Sequence, residues 1–327
     1  MYLITGGAGF IGSNIASALH DKPVIIADTL GNDEKWRNIS GISLEAIIPP
    51  QEIFKFLNEN AKKITAVIHM GAVSSTTEKD ADLIIRSNFT LSQQLWNFCS
   101  QNSLPFIYAS SAATYGNGEN GFDDNFDSEY FEKLRPLNAY GWSKHLFDRW
   151  VLSQTKKNNV PAQWAGIKFF NVYGPNELHK GSKASVISHI YPIAKKNKKC
   201  KLFKSYNSGY KDGWQLRDFV WIGDCVQIVL WLLENPEISG IFNAGSGEAR
   251  SFFDLAKNVY LALDKKPQIA YIEMPKDIRE KYQYYTKANM EKIIKAGYNK
   301  PLTILENGIK MYVQELINNE TLYKKYS

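Results

Sequence analysis

Cysteine is scarce in this chain of 327 residues: Cys99, Cys200 and Cys225 stand far apart, are odd in number and include no CxxC pair. That excludes a disulfide framework and a cysteine-built zinc site, and it predicts a reducing, cytoplasmic setting with no metal. Long apolar runs are missing as well. Stretches such as 226–233 fall well short of the roughly 20 residues of a membrane span, so no membrane partner is expected. No basic segment, apolar stretch and cleavage site open the chain; Met1-Tyr2-Leu3-Ile4-Thr5 runs straight into glycine, so no targeting segment is predicted. Repeats and low-complexity tracts are absent. Neither sign of charge dominates: 39 Lys+Arg against 33 Asp+Glu leave a net +6, scattered apart from a cluster at 195–204. Nucleic acid is therefore not an expected partner. What remains is an ordinary globular balance, 44% hydrophobic and 22% charged, with length for two domains or one large fold and an appended lobe.

Short apolar runs alternate with helical patterns through the first third. Segments 1–4, 24–27, 66–69 and 106–109 read as buried strands, with apolar residues at helical spacing in 11–20, 51–62 and 83–101 between them. Such alternation predicts an α/β fold, a doubly wound parallel sheet with right-handed crossovers. A helix over 138–154 and a strand over 162–170 continue it. Beyond Asn171 the texture changes: 172–189 is rich in Gly, Pro, Lys and Ser, and 195–213 is basic and loop-like. Short strands at 219–222 and 240–244 flank a helix at 224–233; helices follow at 252–263 and 302–318, joined by a polar connector that includes 268–275. The expected organisation is a dinucleotide domain over 1–170, completed by 218–244, with a smaller interleaved α/β lobe from 171–217 and 245–327.

Thr5-Gly6-Gly7-Ala8-Gly9-Phe10-Ile11-Gly12 lies between the first strand and the first helix. Glycine permits a tight turn, close approach of backbone to a pyrophosphate and close helix–strand packing, while the helix aims its N–H groups at the phosphates. A glycine triplet alone is equally a turn without a ligand. Here a strand precedes it, a helix follows, and Asp28 ends the second strand, which together point to a dinucleotide. Asp28 suits the ribose hydroxyls of NAD, whereas Lys35 and Arg37 suit the 2′-phosphate of NADP.

The spacing Gly6, Gly9, Gly12, with His69-Met70-Gly71-Ala72 after a later strand, resembles the extended short-chain dehydrogenase/reductase family. That resemblance predicts a tyrosine and a lysine four residues apart, preceded by a serine, and Tyr140-Gly141-Trp142-Ser143-Lys144 supplies the pair. Residues four apart share a helix face. A phenol with pKa near 10 is a poor base at neutral pH, and a nearby cation favours its phenolate. Tyr140 can then take a hydroxyl proton as hydride leaves the carbon. Tyr108-Ala109-Ser110-Ser111-Ala112-Ala113-Thr114-Tyr115-Gly116 leaves the carboxyl end of a predicted parallel strand, where ligands bind in such sheets. By motif match Ser111 is the catalytic serine.

Further runs narrow the resemblance: Ser74-Ser75-Thr76-Thr77-Glu78, Phe170-Asn171-Val172-Tyr173-Gly174-Pro175, His179-Lys180-Gly181-Ser182, Leu216-Arg217-Asp218-Phe219-Val220 and Gly240-Ile241-Phe242-Asn243 occur in order. The chain is similar nearly end to end to the ADP-L-glycero-D-manno-heptose 6-epimerases of lipopolysaccharide core-sugar synthesis. The resemblance implies oxidation at C6 of the heptose, rotation of the ketone, and hydride return to its opposite face. It implies two acid/bases, Tyr140 and Lys180, with Ser111 and Lys144 assisting. By the same resemblance Gly6, Gly9, Phe10, Ile11, Gly12, Asp28, Thr29, Lys35, Met70, Gly71, Ala72, Val73, Ser74, Asn88 and Val172 line the cofactor, with Tyr140, Lys144 and Lys180. Asn171, Ser182, His189, Phe203, Lys204, Ser205, Tyr206, Arg217 and Tyr282 line the ADP-heptose substrate, with Ser111. Tightly held NADP and a homo-oligomer, a homopentamer, are implied too.

Two departures stand out. The run Ser43-Leu44-Glu45-Ala46-Ile47-Ile48 lacks the aspartate that often contacts adenine in this superfamily, and 205–215 is longer than the pattern, enough for an extra flap near the nucleotide. A C4 epimerase of UDP- or GDP-sugars, and a dinucleotide-sensing protein without catalysis, remain open readings, because fold alone does not fix function.

Overall fold

The computed structural model describes residues 1–279 and 282–326. Among them twelve strands form: β1 (Tyr2–Thr5), β2 (Val24–Ala27), β3 (Ala46–Ile48), β4 (Ala66–His69), β5 (Phe106–Ser111), β6 (Trp164–Phe169), β7 (Asn171–Tyr173), β8 (Cys200–Phe203), β9 (Leu216–Trp221), β10 (Gly240–Ala244), β11 (Ala249–Ser251) and β12 (Ile269–Ile272). Seven of them make one parallel sheet in the order β10-β6-β5-β4-β1-β2-β3. Every residue of β2, β4, β6 and β10 is buried. Burial on both faces is why these strands read as unbroken apolar runs rather than alternating ones. Crossover helices such as Phe10–Ala18, Leu91–Gln101 and Ala139–Thr155 cover the sheet. The chain winds outward in opposite directions from β1 and β4, so their carboxyl ends border a crevice at the topological switch point.

The rest of the chain adds smaller sheets. β9 pairs parallel with β7 and antiparallel with β11, and β8 pairs parallel with β12. Two hydrophobic cores result, one across the large sheet and one among Val186–Lys195, Phe252–Leu261 and the start of Leu305–Tyr326.

Several elements differ from their expectation. The basic stretch 195–213 contains β8, in which Cys200 and Leu202 are buried while Lys201 points outward, so a period of two was masked by lysines. Its partner β12 lies inside the expected polar connector. The helix Val186–Lys195 opens within the stretch read as rich in Gly, Pro, Lys and Ser, and it tolerates Pro192 because Ile187, Ile190, Tyr191 and Ala194 are buried along one side. The expected single helix over 83–101 is three pieces: Ala81–Ile84, a π-helical turn Ile85–Thr90, and Leu91–Gln101. The C-terminal helix starts at Leu305 and runs past the expected end, to Tyr326.

Candidate active site

The glycine turn is built too tightly for side chains. A Cβ on Gly6 (φ +64°) would lie 2.6 Å from the Gly71 backbone, and one on Gly12 would lie 2.3 Å from the Gly6 carbonyl oxygen. Gly9 begins the helix Phe10–Ala18 and offers no capping side chain, so the opening N–H groups face outward with the positive end of the dipole. An anion fits this cradle. At the end of β2, Asp28 accepts from the Ala8 N–H at 2.9 Å through one oxygen and from Lys35 Nζ at 2.9 Å through the other. These groups suit the pyrophosphate and adenosine ribose of a dinucleotide. Thr29 follows as an exposed residue, and Phe10 and Ile11 open the helix.

The loop after β4 is tied to the same place. Gly71 N–H donates to Thr5 Oγ1 at 3.1 Å, and Thr5 Oγ1 lies 2.6 Å from His69 Nδ1. His69 Nε2 meets Ser92 Oγ at 2.8 Å, and Ser92 donates to the Asn88 carbonyl at 2.7 Å. Burial, with the Lys144 ammonium adding to it, lowers His69 to about 3, so this histidine is a neutral hydrogen-bonding link. Asn88 sits in the π-helical turn, which are frequent at functional sites. It holds Val73 through both its amide oxygen (2.8 Å) and nitrogen (3.0 Å), and donates to Ser143 Oγ at 3.0 Å. Met70, Gly71, Ala72 and Val73 are half-buried along this loop, and Ser74 is exposed.

Asn138 caps the helix Ala139–Thr155 by accepting from Gly141 N–H at 2.8 Å. Its first turns bring Tyr140 and Lys144 to one side, and Ser111 ends β5 beside them. Burial raises the Tyr140 phenol, and a hydrogen bond with Ser111 pulls it back down. Lys144 is buried, which lowers its ammonium to about 8, while the Asp148 carboxylate opposes that. Asp148 in turn accepts from Ser110 Oγ at 2.8 Å, Tyr108 OH at 3.1 Å and Lys168 Nζ at 2.7 Å; Lys168 also donates to Thr114 Oγ1 at 2.6 Å. This buried ion pair stands directly behind the serine turn, and the sequence reading missed it. Its one mark in the sequence is Lys168, a lysine inside the otherwise apolar run of β6.

Lys180 approaches from the second half of the chain, in the 3-10 turn Leu178–Lys183. Its Nζ lies 5.1 Å from the centre of the Phe10 ring, beside the glycine turn. Burial lowers its ammonium and Glu177 opposes the shift. Val172 is half-buried and Asn171 exposed on β7; Ser182 and His189 are exposed.

The remaining expected residues gather around β9. The buried Arg217 guanidinium lies 5.2 Å from the Tyr282 ring and 5.7 Å from Phe252, and burial lowers its pKa. Tyr282 packs edge-on to Tyr284, whose hydroxyl accepts from Tyr206 N–H at 3.0 Å. Phe203 and Lys204 carbonyls accept from Gln215, Lys204 Nζ reaches Glu273 at 2.8 Å, and Ser205 N–H donates to Asp212 at 2.8 Å. The long 205–215 segment is therefore folded on itself and tied to Tyr284, next to the Lys204–Glu273 contact. Gln283 Nε2 donates to the Gly116 carbonyl at 2.7 Å, tying this cluster to the serine turn.

The sequence profile of the NAD dependent epimerase/dehydratase family matches residues 2–245. An ADP-L-glycero-D-manno-heptose-6-epimerase of Fusobacterium nucleatum is 47% identical over 99% of this chain and all of its own length. One from Nitratidesulfovibrio vulgaris is 41% identical over 97% of this chain and 98% of its own. The crystal structure of the Helicobacter pylori ADP-L-glycero-D-manno-heptose-6-epimerase superposes with a TM-score of 0.77 at 30% identity, over 97% of this chain and 96% of that one. The chain belongs to the NAD dependent epimerase/dehydratase family, on the branch of the ADP-L-glycero-D-manno-heptose-6-epimerases.

Proposed function

We propose that the chain interconverts ADP-D-glycero-D-manno-heptose and ADP-L-glycero-D-manno-heptose at C6, with Tyr140 and Lys180 handling the proton in the two orientations of the sugar. The observation that carries this reading is the grouping of Ser111 at the end of β5 with Tyr140 and the buried Lys144 on one helix face, together with a second, desolvated amine, Lys180, held against Phe10 at the glycine turn. The names of the Fusobacterium and Nitratidesulfovibrio relatives support the substrate.

A nicotinamide dinucleotide, when bound, supplies the hydride acceptor and donor. Gly6, Gly9 and Gly12 would hold its pyrophosphate, Asp28 and Lys35 its adenosine ribose, the loop fixed by Asn88 its flank, and Lys144 its nicotinamide ribose. We take NADP over NAD because Lys35 already stands on Asp28, and a cation there offsets the repulsion between carboxylate and 2′-phosphate. Ser111 hydrogen-bonds the reacting oxygen and Tyr140 takes its proton in one orientation. After the ketone turns, Lys180 serves the opposite face; its lowered pKa brings proton exchange nearer neutral pH. Arg217 offers a planar fork to the diphosphate. We assign 1–170, completed by 218–244, to the dinucleotide and 171–217 with 245–327 to the sugar nucleotide. A homopentamer and a cytoplasmic location complete the proposal; sedimentation equilibrium measures the first, and cell fractionation the second.

Tyr140→Phe and Lys180→Met should each lose epimerisation on the order of 10²-fold or more, followed by NMR of the heptose, with dinucleotide retained in Lys180→Met. Near-normal turnover in Lys180→Met beside a dead Tyr140→Phe would leave a one-base enzyme. Turnover of UDP-galactose alone would overturn the substrate. Releasing the dinucleotide by denaturation and weighing it separates NADP from NAD.

A further inference from the structure

The loop that carries Lys180 is not free-standing. Lys180 follows Pro175-Asn176-Glu177-Leu178-His179, and side chains tie this run to the dinucleotide side at three points. Asn14 Nδ2 donates to the carbonyls of Phe10 (2.8 Å) and Pro175 (3.0 Å), and Asn176 Nδ2 donates to Ser13 Oγ at 3.0 Å. Asn38 is the third. It lies in the 3-10 turn Lys35–Ile39, and its Nδ2 is 2.9 Å from the Ala8 carbonyl, 3.1 Å from the Asn176 carbonyl and 3.1 Å from His179 Nδ1. At its far end the loop is closed by the buried Glu177 carboxylate, which accepts from Ser185 N–H at 2.6 Å and Ser185 Oγ at 2.5 Å.

Asn14 and Asn176 attach the loop to the helix. Among the described residues, Asn38 is the one whose side chain joins the glycine turn itself to the residue immediately before Lys180. Carbonyl oxygens can only accept, so two of them facing one amide nitrogen fix its orientation, and its two hydrogens are both engaged. We propose that Asn38 is a positioning residue for Lys180: by bridging the Ala8 carbonyl to Asn176 and His179, it makes the glycine turn and the Lys180 loop one unit. This rests on the two-base reading above. It gives that reading a physical consequence, because whatever settles in the glycine turn also sets where Lys180 stands.

The test uses Asn38→Ala, which removes the amide, and Asn38→Asp, which keeps its size but turns an acceptor on two carbonyls. Asp should therefore be the worse of the two. Hydrogen–deuterium exchange over 176–182, with and without saturating NADP, should be faster in both variants than in the native chain. At saturating NADP, kcat for ADP-heptose should fall about tenfold in Asn38→Ala, the scale of one or two lost hydrogen bonds, with KM changed less than about twofold. Single-turnover oxidation of the two C6 epimers should slow unequally, since only one orientation depends on Lys180; general loosening of the fold would slow both alike. Unchanged exchange in both variants, or equal slowing of both epimers, overturns the proposal. Should the native chain act on neither epimer, the functional reading falls, and exchange over 176–182 still decides the clamp.

Discussion

Lys144 is 3% exposed, and burial lowers its ammonium to about 8, well under an unfolded lysine, despite the opposing Asp148. Between pH 8 and about 10.4 the unfolded chain therefore holds a proton that the folded chain lacks, so native stability rises with pH across that window. Below pH 8 both states are charged and the full penalty applies, an upper bound of about 3 kcal/mol. Lys144→Met should accordingly stabilise the dinucleotide-free chain by about 1–3 kcal/mol at pH 7, with the advantage shrinking as pH rises from 8 to 10. Urea denaturation at pH 7 and pH 10 measures it, and a less stable variant at pH 7 would refute the reading. The same variant should be catalytically dead. Ser111, Tyr140 and Lys144 were legible through the family resemblance, and a shared helix face and a strand end give the physical reason for that motif. Lys168 and Asp148 were not: their pairing joins a strand to a helix, and nothing in the spacing of either signals the other.

Turns and helices carry the same argument one level up. The helix Phe10–Ala18 sits so close to the turn before it that a Cβ on Gly12 would also lie 2.9 Å from the Gly6 carbonyl carbon and Gly7 Cα. Those atoms are backbone and cannot rotate away, so Gly12→Ala must push the helix off β1. The expected result is a loss of about 1–3 kcal/mol in stability and a fall of tenfold or more in dinucleotide affinity, read by thermal melting and calorimetric titration. Gly41→Ala, with nothing within 4 Å of its Cβ, should be near neutral on both and serves as the control. Elements whose burial made a continuous apolar run, β2 and β4 above all, were legible in the sequence. β8 was not, because Lys201 and the surrounding lysines disguised a half-buried strand whose partner β12 lies 65 residues or more beyond it. Nor was the π-helical turn that sets Asn88: a wider turn leaves no mark in a pattern of apolar residues. The Lys180 loop was recognised by its motif, yet its anchoring through Asn14, Asn38 and Asn176 joins residues more than 130 apart and no periodicity encodes it.

Across the whole molecule the site is shared between two cores that meet at Trp221, which packs against both. The glycine turn, Asp28, Ser111, Tyr140 and Lys144 stand on the large sheet. Arg217 leaves β9, and the Phe252 ring beside it opens a helix whose Leu255 is buried in the second core. That helix is fixed at its start by the reciprocal Ser251–Asp254 capping box, so packing losses at Leu255 are transmitted to Phe252 and Arg217 rather than absorbed by fraying. Leu255→Ala should cost about 2–5 kcal/mol of stability, as buried leucines do. Its functional effect should fall on one ligand only. KM for ADP-heptose should rise several-fold, because Arg217, proposed to hold the diphosphate, is loosened, while dinucleotide affinity should change by less than about twofold. Steady-state kinetics and dinucleotide titration of the same preparation, at a temperature where it remains folded, measure both. Equal losses would mean that the two cores act as one body, with no division between the groups that hold the dinucleotide and those that hold the sugar nucleotide.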